Sequence, residues 1–259
     1  MKRHVKSFLQ VRKATVPESR LVQKHKDEGE LLPSTFTLVV WNIFKRHGGE
    51  IFDRDLCDLS QRSDIACLQE VLSEEELYLP KEMHSLNHNY GISYHRPDGF
   101  TEGVLTASHY LFDRHSQAMH SLSREPVTNT PKTTLISFMP MACGQTLLLI
   151  NLHMLLFKRR TQFRGELEHI LTYCAPYDEL PAVFCGDFNT FTLTQLKLLD
   201  DILGDKGFSR CLPRHAPRTK RYLDHIYIRR LNLLEMEIID TISSSDHSPL
   251  VCKVELSGA

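Results

Sequence analysis

The stretch Pro181-Ala182-Val183-Phe184-Cys185-Gly186-Asp187-Phe188-Asn189 sets a carboxylate and an amide two residues apart at the end of a short apolar run. If the chain is extended there, side chains at i and i+2 leave the same face, so Asp187 and Asn189 aim at a common target. Gly186 leaves room for a close approach to the backbone. A strand end followed by an Asx-turn accounts for the same residues, and the stretch alone does not separate the two readings. Five further strand-like runs end in polar groups: Asn42; Glu70; Asn151 with His153; Asp224; and Asp246 with His247. One acid or amide at a strand end is ordinarily a turn former, and one histidine is ordinarily structural. A whole set of ends carrying oxygen and imidazole groups points to a shared site. Carboxylate and amide oxygens without clustered thiolates suit magnesium, with manganese as the alternative, rather than zinc. Histidines beside them can move a proton or hydrogen-bond an oxyanion. The chemistry that uses both is attack of water on a phosphate ester.

The elements that must hold these groups follow from hydrophobic periodicity. Strands are expected at 36–41, 65–68, 90–94, 103–107, 133–139, 146–153, 183–185, 223–228, 233–240 and 250–256. Helices are expected at 50–62, 159–174 and 193–203, each with an apolar stripe such as Phe163, Leu167, Ile170 and Leu171. Ser73 and Glu76 have capping-box spacing, which predicts a short helix there. Strands outnumber helices and several neighbours are hairpin-like, so mixed sheets with helices outside are expected. Residues 1–33 read as a basic tail, solvated or loosely docked, with a membrane- or partner-touching amphipathic segment as the minor alternative. Residues 34–259 form the domain proper.

Composition narrows the setting. The 259-residue chain is 41% hydrophobic and 24% charged, and its net charge of -1 creates no global field toward nucleic acid or membrane, so any anion-binding surface is local. Seven scattered cysteines, an odd number with no C-x-x-C pair, argue against a disulfide framework and for a reducing compartment, hence a cytoplasmic protein. No apolar run is long enough to span a membrane, and the N-terminus lacks a signal-peptide core.

The ordered set Val40-Trp41-Asn42, Leu68-Gln69-Glu70, Asn151-Leu152-His153, Gly186-Asp187-Phe188-Asn189, Leu223-Asp224-His225 and Ser245-Asp246-His247-Ser248-Pro249-Leu250 resembles the endonuclease/exonuclease/phosphatase superfamily over residues 36 to 256. Gly103-Val104-Leu105-Thr106-Ala107-Ser108 resembles its small bacterial members. The resemblance implies a four-layer α/β sandwich, with two mixed β-sheets face to face and helices outside. It implies that Glu70 is the main magnesium ligand, with Asn42 beside it on metal or phosphate and Asp246 helping to bind metal. It implies that Asp187 orients or deprotonates the attacking water and that Asn189 holds phosphate and nucleophile. His247 would contact the phosphate, oriented by Asp224. His153 matches the second histidine of the deoxyribonuclease I and sphingomyelinase branches, on the leaving-group side. Phe44 stands where the exonuclease III branch has an acid, which argues against abasic-site repair. His225 alternates to the other face and is left as structural, as are Cys67 and Cys185 inside their strands. Asn151 is a substrate-side residue or a brace for His153.

Two basic stretches bear on substrate: Lys158, Arg159, Arg160 and Arg164, and Arg210, Arg214, Arg218, Lys220 and Arg221. Arg160 and Arg221 are the candidates for polyanion contacts; a solvated charged face is the alternative. The expected function is a magnesium-dependent phosphodiesterase, foremost a nuclease on DNA or RNA. A phospholipid or inositol-phosphate hydrolase at a membrane surface and a non-catalytic binding module are the alternatives. No protein partner is implied, and a monomer is expected.

Overall fold

The computed structural model describes residues 14–17, 20–74, 76–156, 159–213 and 223–258. Among the described residues thirteen strands form two sheets: β1 (Leu21–Lys24), β2 (Thr35–Asn42), β3 (Ile65–Ser73), β4 (Asn87–His95), β5 (Thr101–Ser108), β6 (Gln117–His120), β7 (Thr133–Pro140), β8 (Thr146–His153), β9 (Ala182–Asp187), β10 (Ser209–Arg210), β11 (Asp224–Arg229), β12 (Leu231–Ile238) and β13 (Leu250–Leu256). The first sheet runs β1-β4-β5-β3-β2-β13-β12 and the second β10-β11-β9-β8-β7-β6. Three α-helices accompany them among the described residues: α1 (Glu50–Gln61), α2 (Arg160–Cys174) and α3 (Leu193–Gly204).

Side-chain parity builds the layers. In β2, Phe36, Leu38 and Val40 enter one core cluster, while Val39 and Trp41 enter another. In β8, Leu147 and Leu149 join the first of these, and Leu148, Ile150 and Leu152 turn to a third. The shared cluster is the core between the sheets. The other two lie under α1, which buries Phe52, Leu56 and Leu59, and under α2 and α3. Strands buried on both faces read as continuous apolar runs, and stripes at helical spacing cover the outer faces. The result is the expected four-layer sandwich. Thr192 and Gln195 close a capping box at the start of α3, and Glu50 and Asp53 favour the first turn of α1.

Two connections place strand ends together. β2 runs parallel to β3 across α1, and β8 parallel to β9 across α2. Each such crossover brings two C-terminal strand ends to the same edge.

The short helix expected from Ser73 and Glu76 does not form. Ser73 instead ends β3, paired with Thr101 of β5, and bridges Leu77. Ladder pairing claims the backbone groups a first helical turn would need. Leu21–Lys24, within the basic lead-in, adds an antiparallel edge strand to β4, and Leu32 is fully buried. All seven cysteines are free. Among the described residues, no helix is long and apolar enough to cross a membrane.

Candidate active site

The inward faces of β2, β9 and β11 carry apolar side chains along most of their length and polar ones at one end, and β8 ends in the same way at His153. Asn42 continues the inward parity of Phe36, Leu38 and Val40. His153, Asp187 and Asp224 continue that of Leu149, Cys185 and Ile226. In the second sheet the register sets His153 opposite Asp187 and Asp187 opposite Asp224, so three strands deliver three polar groups in one row. Asn42 meets this row from the first sheet. They line a cleft of about 490 Å³, within the range of small-ligand sites, together with Glu70, Asn189, Asp246 and His247.

Asp187 is the centre. Its Oδ2 accepts from Asn42 Nδ2 at 3.0 Å, and lies 3.5 Å from His153 Nε2 and 3.9 Å from His247 Nε2. Its Oδ1 accepts the Asn189 backbone N–H at 2.9 Å. The strand stops at Asp187, and Asn189 sits at φ +52 with its amide donating to the Met154 carbonyl at 2.8 Å. Of the two readings of this stretch, the Asx-turn is therefore the local geometry, and it fixes Asp187 while turning Asn189 away from extended i+2 alternation. Gly186, at φ +129, has Leu152 O 2.0 Å from where a Cβ would stand, so the close approach it permits is by backbone.

His247 lies in the loop before β13. Serines hold that loop: Ser245 Oγ donates to Asn42 O at 2.7 Å, and Ser244 Oγ to Asp55 at 2.7 Å. Trp41 Nε1 donates to the His247 carbonyl at 2.9 Å. His247 Nδ1 donates to Asp224 Oδ2 at 2.6 Å. Burial alone would lower the His247 pKa, but the Asp224 hydrogen bond and charge, with Asp187 and Asp246, raise it to about 9. It is therefore an imidazolium at neutral pH. Burial first, and the Asp224 charge second, push the Asp187 carboxyl up. His153 goes the other way: burial and the Lys132 charge hold it well below the usual value, so it is neutral.

Glu70 reaches the cleft by a different device. Inward parity in β3 belongs to Ile65, Cys67 and Gln69, which would send Glu70 outward. A register shift between Leu68 and Val71, with Glu70 at φ +57, re-aims it. Burial would raise its pKa, but Lys45, Lys132 and His153 outweigh that and hold it well below the carboxylate range. Lys45 Nζ pairs with Glu70 and lies 3.6 Å from Glu102. Lys45 is delivered by a turn in which Phe44, Lys45 and Arg46 all have positive φ. Such a conformation costs about 1–2 kcal/mol per residue bearing a side chain, and strain of this kind gathers at functional sites.

Other positions fall elsewhere. Asn151 is fully buried: it donates to Leu105 O at 2.8 Å and accepts from Gln69 Nε2 at 2.7 Å, tying the sheets together rather than touching the cleft or His153. Asp246 is exposed at the cleft mouth. Arg160 is exposed at the start of α2 and is absent from the cleft lining. Arg221, with Arg214, Arg218 and Lys220, lies outside the described residues, as does Lys158. Arg164 pairs with Glu168 and Arg210 with Asp200, both at 3.4 Å. His225 turns to the outer face and bonds Thr190 Oγ1 at 2.7 Å. Cys67 and Cys185 are core residues, and burial pushes the Cys185 thiol up. Sequence reasoning missed Lys45, Glu102 and Lys132. Lys45 stands in a single tight turn after β2, Glu102 near the start of β5 and Lys132 just before β7, and none carries a spacing signal.

The donor set fits a hard divalent cation: the cleft presents carboxylates from Glu70 and Asp246 and no thiolate, and Asp224 Oδ1 is buried without a hydrogen-bond partner. Among the described residues, the three donors that converge within 4.8 Å are those of Asp187, Asp224 and His247. With its imidazole charged and bound to Asp224, that trio is an ion-paired group. Asn42 spends its oxygen on the Phe44 N–H at 3.1 Å and its Nδ2 on Asp187, so here it braces Asp187.

Comparison with known proteins yields matches at three levels. Residues 39–247 match the model of the Endonuclease/Exonuclease/phosphatase family. A UPF0294 protein of Vibrio vulnificus is 27% identical over 225 residues, covering 85% of this chain and 76% of that protein. An endonuclease/exonuclease/phosphatase structure from Beutenbergia cavernae superposes with a TM-score of 0.69 at 14% identity, covering 87% of this chain and 72% of the other. The human Nocturnin catalytic domain, solved with a bound sulfate anion, gives 0.65 at 16% identity, covering 91% and 97%.

Proposed function

Since the chain belongs to the endonuclease/exonuclease/phosphatase family, whose enzymes hydrolyse phosphate esters and generally use divalent metal ions, we propose that it is a magnesium-dependent phosphodiesterase that cuts nucleic acid backbones. The observation that carries this is the convergence of Asn42, His153 and His247 on one carboxylate oxygen of Asp187, with Glu70 in the same cleft. Glu70 and Asp246 would hold the cation. Bound there, it supplies Lewis-acid polarisation of a phosphoryl oxygen.

The chain's own residues divide the remaining work. Asp187, fixed by Asn42 and the Asn189 N–H, takes a proton from the attacking water; its raised pKa makes it a better base than an ordinary aspartate. His247 presents a charged Nε2–H to phosphoryl oxygen, and Asp224 holds it in that state. His153, neutral, offers a hydrogen bond on the other side of Asp187, toward the leaving oxygen. Water oxygen bonds to phosphorus as the phosphorus–ester oxygen bond breaks; the departing oxygen takes a proton from solvent, and Asp187 returns to solvent the proton it took from the attacking water, so the protons balance.

Half-exposed Leu156 and Phe191 line the cleft, which favours one second reading, an amphiphilic phosphodiester such as a phospholipid. Aromatic and apolar walls also stack nucleobases, and that keeps the nucleic acid reading first. The test is turnover of oligonucleotides and of phospholipid vesicles with magnesium, after chelation, and after magnesium is restored. Chelator-sensitive cleavage of oligonucleotides is expected. Hydrolysis confined to lipid selects the second reading, and cleavage that survives chelation removes the metal from both.

A further inference from the structure

Lys45 is the one lysine in contact with a carboxylate of the cleft among the described residues, and nothing in the reaction outlined above uses it. Its ammonium is clamped between Glu70 and Glu102. Glu102 is buried, 3% exposed, and its other oxygen accepts the Tyr94 hydroxyl at 2.5 Å, so that carboxylate is immobile. The left-handed turn at Phe44–Arg46 fixes the Lys45 backbone, but the four-carbon side chain can swing. A divalent cation on Glu70 and an ammonium on the same carboxylate are like charges a few ångströms apart, and they repel.

We propose that Lys45 is a built-in competitor for the metal-binding carboxylate: it occupies Glu70 until a divalent cation displaces it, and then, retained by Glu102, it becomes a fixed cation for a phosphoryl oxygen of the substrate. The proposal rests on Glu70 as metal ligand. It explains how a partly buried carboxylate is kept ionised and paired before metal binds, which partial desolvation alone would resist. It also couples two events. An anion that draws the ammonium off Glu70 frees that carboxylate for the metal, so phosphate and metal bind with positive cooperativity, each strengthening the other by the same factor. Glu102 acts through Lys45, as the second anchor that makes release of Glu70 possible.

The test is calorimetric titration of the full chain with Mn²⁺ alone and with inorganic phosphate at saturating Mn²⁺, on wild type, Lys45→Met, Lys45→Gln, Glu102→Gln and Lys45→Met/Glu102→Gln. Far-UV circular dichroism melts confirm that each variant is folded, and either Lys45 variant serves if the other is not. Removing the competitor should tighten Mn²⁺ binding about tenfold and weaken phosphate binding to the Mn²⁺-loaded protein. Glu102→Gln should weaken Mn²⁺ binding, and that loss should vanish in the Lys45→Met background, because Glu102 no longer has a lysine to retain. A general electrostatic field would instead make the two changes additive, and additivity overturns the proposal. So does Mn²⁺ affinity that is unchanged or weaker without Lys45. If wild type and all variants fail to bind Mn²⁺, the proposal falls together with the metal reading. Normal Mn²⁺ binding that ignores Lys45 sinks the proposal alone.

Discussion

Replacing Asp224 by asparagine removes one charge and leaves the hydrogen-bonding shape, so it isolates what the Asp224–His247 pair contributes. Holding the His247 imidazolium from its ordinary 6.5 up to about 9 corresponds to on the order of 3 kcal/mol of preference for the charged form in the folded state. The group's folded pKa is raised, so this stabilisation is fully present below 6.5 and is lost as pH rises through 9. Burial acts on His247 in the opposite direction. Burial is the largest of these effects, so with only Asp187 and Asp246 left to oppose it the midpoint should fall to about 6.5 or lower. At pH 7.5 the charged fraction then drops from nearly all molecules to roughly a tenth. The assay is the ¹H–¹³C signal of His247 across pH, with kcat/KM measured over the same range. The midpoint should move by two pH units or more, and kcat/KM at pH 7.5 should fall ~100-fold, the usual reach of one acid–base or charge-stabilising group. Wild-type stability to urea should decline between pH 6.5 and 9 while the mutant's does not. A His247 midpoint that stays near 9 in Asp224→Asn refutes the reasoning.

Asp187→Asn keeps the acceptor for the Asn189 N–H and removes the base, so turnover should fall by about 10³ or more. Because burial disfavours the Asp187 charge in the folded state, wild-type urea stability relative to the mutant should decline as pH rises from about 4 toward 7; a stability difference independent of pH would contradict the raised pKa. Gly186→Ala puts a Cβ 2.0 Å from Leu152 O at φ +129 and should cost about 3 kcal/mol or more in urea unfolding; a loss below 1 kcal/mol would show that the strand can shift. Asn151→Ala removes the Gln69–Asn151–Leu105 link between the sheets and leaves Gln69 Nε2 only the Cys67 carbonyl at 3.3 Å, and should cost about 1–3 kcal/mol of stability with KM unchanged. A raised KM with normal stability would return Asn151 to the substrate.

Strand and helix positions were legible because burial imposes periods of two and near 3.6 on the chain. The alternation in Phe36–Asn42 and Thr146–His153 already separates an inward from an outward face, and the same parity excluded His225 correctly. Failures occurred where a long-range partner overrode local preference. Ser73 and Glu76 carry a helix-start pattern, yet β5 took the backbone of Ser73. Parity would have sent Glu70 outward, and only the bulge in β3 brings it to the cleft.

By itself the sequence determined which residue types stand at the ends of apolar runs, and through them the fold and the class of chemistry, because both are written in local order. Only the tertiary structure decided how those groups share charge. The pairing of β9 with β8 and β11 makes Asp187 a raised, His153 a neutral and His247 a charged group. It also decided that Asn151 is a tie between sheets and that Lys45 stands on Glu70. Proximity in a folded interior sets a group's desolvation and its neighbours, and neither quantity exists until distant parts of the chain have met.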